Sequence, residues 1–142
     1  MQYGRVNLRS VNIIVRDAQG RTLLQMRDGA AMSSPLLWGF WGGAVDADDE
    51  NACHAAAREL REELCVVASP AQFVALGERI DSRGQVAALV LYTPALQWQD
   101  IYVNEGAGAA FFWREEIERL PVAKSITWYL ERHAHIFSAQ PR

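Results

Sequence analysis

Cysteine is scarce in this chain, basic residues form no block, and no apolar run is long. The two cysteines, Cys53 and Cys65, make neither a CxxC pair nor a disulfide framework, and they read as reduced thiols in a cytosolic protein. No uninterrupted apolar stretch reaches membrane-spanning length, and the N-terminal MQYGRVNLRS lacks a signal-peptide core. The expectation is a soluble, cytoplasmic protein with no membrane partner. Lys and Arg are scattered and the formal net charge is −3, so no electrostatic footprint for long nucleic acid is present. A small anionic ligand stays open, because it needs only a local cluster of donors or a metal. Internal repeats, low-complexity tracts and linkers are also missing.

What is present suffices for one domain over residues 1–142. Half of the residues are hydrophobic and 22% are charged, enough apolar surface for one core. Residues 6–16 read as a strand, 17–20 as a turn and 22–27 as the return strand of a hairpin. An irregular loop follows at 29–35. Residues 38–45 read as a short strand running into a tight turn. An alanine-rich helix spans 51–64, with Asp48 or Asp49 as its N-cap and the acidic run before it favouring the helix dipole. Strands follow over 73–80 and 86–92, with a turn at 81–84. A loop covers 98–108, a short strand 110–113, a short helix 115–120 and a final helix 123–136. The order β-β-β-α-β-β-β-α implies a mixed α/β sandwich with helices on sheet faces.

The 51–64 helix carries the chemistry. At roughly 100° per residue, Cys53, Ala56, Ala57 and Leu64 lie close to Leu60, forming a narrow apolar stripe whose small residues allow close approach to a sheet. Glu59, Glu62 and Glu63 project beside that stripe at i, i+3, i+4. Three like charges destabilise an isolated helix, whereas a hard cation such as Mg²⁺, which prefers oxygen ligands, reverses the sign. By spacing alone the same pattern also describes a solvated acidic face, with Arg58 and Arg61 in weak surface pairs.

The flanking residues decide between these readings. Gly42-Gly43 precedes the helix, Glu50 follows, and after residues 51–57 come Arg58-Glu59-Leu60-Arg61-Glu62-Glu63 and then Leu64, Cys65 and Val66. This resembles the signature of the Nudix hydrolase family, which implies an α/β/α sandwich with a mixed sheet and flanking helices. The segment from Arg114 to Leu120 looks like the late short helix of many members. Three departures stand out. The step from Gly43 to Glu50 is one residue longer than the family pattern, unless Ala44 takes the glycine's place. Cys65 stands where the pattern has glycine, so a different helix end is expected. Trp41 stands where many members have proline.

The resemblance implies metal ligation by Glu59, Glu62 and Glu63, with the Gly43 carbonyl as a further oxygen, and Mg²⁺ as cofactor, with Mn²⁺ as the alternative. Glu59 is a ligand or the general base. Arg58 orients the carboxylates by pairing with Glu50. A base from outside the motif is also open, with Glu105 and Asp100 as candidates and Glu78 a weaker one. Trp38, Phe40 and Trp41 either stack on a base or sugar or pack the core, with alternation sending Trp38 and Phe40 to one face and Trp41 to the other. His54, His133 and His135 show no ligand spacing and read as surface residues. The implied activity is metal-dependent hydrolysis of the diphosphate linkage of a nucleoside diphosphate derivative, with a nucleoside triphosphate, such as an oxidised purine nucleotide, favoured. The alternative is a nucleotide or nucleotide-sugar sensor without turnover; a scaffold with a fortuitous acidic helix conflicts with Gly43, Glu50 and Arg58. Homodimers are common among small domains of this kind, but no segment marks an interface.

Overall fold

The computed structural model describes residues 7–31, 34–81 and 83–138. Val6 of the expected first strand, Met32 and Ser33 of the expected loop, and Ser82 of the expected turn lie outside these residues. β1 is Leu8–Ile14 and β2 is Thr22–Met26. They do not form the expected hairpin ladder. Only an isolated bridge links Arg16 to Thr22, because the edges of β1 are taken by other strands. The turn between them is closed by the Asp17 carboxylate, which accepts from the Gln19 and Arg21 N–H groups and pairs with the Arg21 guanidinium at 2.7 Å.

The 38–45 segment is also not one strand. It breaks at Phe40 into β3 (Trp38–Gly39) and β4 (Trp41–Ala44). β3 pairs with β2 and β4 with β1, so the chain changes sheet at Phe40. With β5 (Phe73–Ile80), β6 (Val86–Tyr92) and β7 (Gly108–Phe112), the strands form a four-stranded sheet ordered β4-β1-β6-β5 and a three-stranded sheet ordered β3-β2-β7. β1 and β6 run parallel, while the other pairs are antiparallel. The expected mixed α/β arrangement is therefore present, with one more strand ahead of the first helix than the sequence suggested.

Two apolar cores flank the strands. Side chains of β1 alternate between them: Val11 and Ile13 join Leu23, Trp41, Leu60 and Leu64, while Ile14 joins Leu24, Phe40, Leu89, Ile126 and Tyr129. α1 (Ala52–Leu64) closes the first core and α3 (Lys124–His133) the second, with a single-turn α2 (Arg114–Ile117) between β7 and α3.

The apolar stripe of α1 is Ala55, Ala56, Leu60 and Leu64, all fully buried, with Cys53 and Ala57 at its half-buried edges. Enclosing Leu60 or Leu64 contributes about 2 kcal/mol each. The cap is Asn51, not Asp48 or Asp49: its Oδ1 accepts from the His54 N–H at 3.1 Å. At the other end Cys65 adopts the left-handed conformation (φ 59°, ψ 28°) and its N–H donates to Arg61 O. The helix thus ends as a glycine would end it, and a β-carbon residue carries the strain, about 1 kcal/mol.

Candidate active site

β4 and α1 bring the acidic residues to the edge of the four-stranded sheet. Gly42 has φ +128°, and a β-carbon there would collide with the Val11 carbonyl. Its N–H donates to Glu63 Oε1 at 2.8 Å. A β-carbon at Gly43 would stand 2.7 Å from Glu59 Oε1. The two glycines therefore let the strand lie directly beneath the carboxylates of the facing helix. Glu63 is 2% exposed and Glu59 9%. Glu62 is exposed at the cavity mouth.

Arg58 organises this cluster. Its guanidinium meets Asp49 at 2.9 Å, Glu59 at 3.1 Å, Glu62 at 3.3 Å and Asp46 at 3.3 Å, and donates to Ala44 O at 3.0 Å. The expected partner Glu50 points away, 3.6 Å from His54 Nε2. Asp49 takes that place because the Asp46 N–H donates to Asp49 Oδ2 at 2.8 Å, which turns the loop so that Asp49 is buried and Glu50 exposed. The hydrogen bond from Arg58 holds the Asp49 carboxyl below its ordinary range.

A fourth carboxylate arrives from the loop after residue 98. Glu105 hydrogen-bonds to Glu63. Burial, first, and then the bond and charge of Glu105 push Glu63 upward, against the Gly42 N–H. Burial likewise raises Glu59, opposed by Arg58. The other two expected bases are elsewhere: Asp100 is exposed and accepts from the Gln97 N–H at 2.8 Å in its own turn, and Glu78 lies on β5, the sheet edge opposite β4.

Glu59, Glu62 and Glu105 line a cavity of about 580 Å³, together with Arg9, Asn12, Gln25 and Arg27 among others. That volume suits a nucleotide-sized ligand. The sequence reading passed over this second group, although Arg9, Ser10 and Asn12 interrupt the apolar residues of β1. The aromatic residues do not supply a stacking platform. Trp41 is 0% exposed and its Nε1–H donates to Leu23 O at 2.9 Å. Phe40 is 5% exposed and stacks on Phe137, and half-buried Trp38 packs edge-on against Phe112. The alternation of faces is as expected, but both faces are interior: Trp41 is a core residue, and Phe40 packs in the core while also lining the cavity. His133 and His135 are exposed; His54 is half-buried beside Asn51.

All four carboxylates are hard oxygen donors, two of them buried and raised by that burial, which suits a divalent cation such as Mg²⁺. Among the described residues no three acidic groups are already arranged around a common point. Arg58, the Gly42 N–H and Glu105 hold them instead, and coordination would exchange some of those contacts for metal–oxygen bonds.

Known proteins share this fold. The NUDIX domain model matches residues 6–127. A MutT structure from Aliivibrio salmonicida and Vibrio cholerae superposes with a TM-score of 0.72 at 17% identity, covering 88% of this chain and 94% of that one. The E. coli ORF135 protein is 30% identical, with 93% and 91% covered and a TM-score of 0.66. The NUDIX domain of Shewanella oneidensis NrtR, complexed with ADP ribose, is 21% identical, with 87% and 84% covered and a TM-score of 0.66. No curated protein matches the chain significantly.

Proposed function

The chain belongs to the Nudix hydrolase family, and from that premise we propose that it cleaves the diphosphate linkage of a nucleoside diphosphate derivative with Mg²⁺ as cofactor. The observation that carries this reading is a nucleotide-sized cavity lined by Glu59, Glu62 and Glu105 together with Arg9, Asn12 and Arg27, with the buried Glu63 beside Glu105. The ADP ribose held by the NrtR domain supports the ligand class.

Glu59, Glu62 and Glu63 would hold the cation, with the Gly43 carbonyl as a further oxygen. When bound, it neutralises diphosphate charge and acidifies a water. The chain's own residues do the rest. Arg58 pairs with Glu59 and Glu62 and fixes their direction. The Gly42 N–H fixes Glu63. Arg9 and Arg27 offer positive charge to the phosphates, and Asn12 offers an amide to the nucleoside. Glu105 takes the proton of the attacking water as that water's oxygen bonds to phosphorus and the bridging P–O bond breaks. A nucleoside triphosphate, including an oxidised purine nucleotide, is the proposed substrate.

The test is phosphate release with Mg²⁺ over nucleoside triphosphates, oxidised nucleotides and nucleotide sugars, read through a coupled phosphatase or pyrophosphatase. Metal-dependent turnover that collapses in a Glu62→Gln/Glu63→Gln double variant is the expected result. Nucleotide binding without turnover would replace the enzyme reading by a sensor.

A further inference from the structure

Glu105 sits in an irregular loop, yet it must meet the α1 carboxylates closely to act on a water there. Two ties flank it. On one side the loop docks on the C-terminal turn of α1: the Tyr102 N–H donates to Leu64 O at 3.0 Å, the Asn104 N–H to Glu63 O at 2.8 Å, and Asn104 Nδ2 to Glu62 O at 3.1 Å. These carbonyls belong to the helix end, where no intrahelical donor reaches them. On the other side the Ala107 N–H donates to Met26 O at 2.8 Å, at the end of β2. Gly106 makes that approach feasible. Its φ is +85°, and a β-carbon there would stand 2.8 Å from both Met26 O and Gln25 Oε1.

We infer that Asn104 and Gly106 are positioning residues, which strap Glu105 between the end of α1 and the end of β2 so that its carboxylate faces those of the helix. The inference rests on the reading of Glu105 as base. Asn104 donates to the carbonyls of two residues whose side chains are proposed metal ligands, so any shift of the helix end carries the loop with it. Neither residue acts on substrate itself. The strap sets the distance between the base and the α1 carboxylates.

The experiment compares Asn104→Ala and Gly106→Ala, each alone and combined with Glu105→Gln, in the full chain. Each single variant should lower kcat about tenfold to a hundredfold, the cost of a small misplacement, while KM stays within about threefold. In the Glu105→Gln background neither should lower kcat by more than about twofold, because residues acting as a unit are not additive. Equal losses in both backgrounds, or a loss confined to KM, overturns the inference; so does an unaffected kcat in Glu105→Gln, which leaves nothing to position. A second readout needs no turnover. By ¹⁵N relaxation, residue 105 should be rigid in the native protein and fall to an order parameter below about 0.6 in Asn104→Ala. An unchanged order parameter overturns the strap whatever the substrate panel shows. Failure of the panel with the order parameter falling as expected defeats only the hydrolase reading.

Discussion

Replacing Glu63 by glutamine should stabilise the metal-free protein at neutral pH while abolishing turnover. The isostere fits the contacts: its Oε1 still accepts from the Gly42 N–H, and its Nε2 can donate to the neighbouring Glu105 carboxylate. In the folded chain burial raises the Glu63 carboxyl above its unfolded value of 4.5. From that value upward, until Glu63 ionises, the folded state holds a proton that the unfolded state has released. Stability is therefore greatest below the unfolded value and falls as pH rises, by about 1.4 kcal/mol per pH unit for one proton. Between about pH 5.5 and pH 7.5 the loss is about 2.7 kcal/mol, a large part of the total stability of a small domain. Glu59, also raised by burial, acts in the same direction.

The assay is urea unfolding in chelator, followed by intrinsic tryptophan fluorescence, to which the buried Trp41 contributes, for native and Glu63→Gln proteins across that pH range. The difference between them should widen with pH at about that slope, with an unchanged m-value. Saturating Mg²⁺ should flatten the native curve and leave the variant's unmoved, since a ligand stabilises only the state that binds it. A difference independent of pH would refute the reasoning, because it would mean that Glu63 holds no extra proton in the fold.

Asp49→Asn should cost about 2 kcal/mol by loss of a charged hydrogen bond to Arg58, and Glu50→Gln less than about 0.5 kcal/mol, as for an exposed pair; chemical denaturation of both separates them. Cys65→Gly should stabilise by about 0.5 kcal/mol, strain relief less the entropy glycine adds to the unfolded chain, and Cys65→Val should destabilise; matching melting curves for the three proteins would contradict the left-handed helix end. Trp41→Phe should cost about 2 kcal/mol through the lost bond to Leu23 O and the space left behind, with KM unchanged; a raised KM would restore a ligand-stacking role.

α1 was legible because its evidence is local. Periodicity placed the stripe, and the fixed spacing of Glu59, Glu62 and Glu63 placed their carboxylates on one side. The break at Phe40 was not legible, since period-2 alternation is the same whether a segment continues in one sheet or crosses to another. Alternation also separated Phe40 from Trp41 correctly, yet it could not say that helices cover both faces. Glu105 depends on a loop docking against a helix end distant in sequence, and only its charge marked it.

The acid that pairs with Arg58 shows how a single residue of register escapes a motif. Counted to Glu50, the step from Gly43 is one residue too long; counted to Asp49, it has the family spacing. The fold follows the second count. Asp46 and Asp49 close a turn in which the Asp49 N–H also donates to Asp46 O at 3.1 Å, and this points Asp49 inward. Asn51 caps the helix directly afterwards, leaving Glu50 on the solvent side. The extra residue therefore lies between the acid and the helix, not in the glycine turn. That location matters: Gly42 and Gly43 keep the close approach that Glu63 and Glu59 require, and the insertion is absorbed where only a solvent-facing glutamate is displaced.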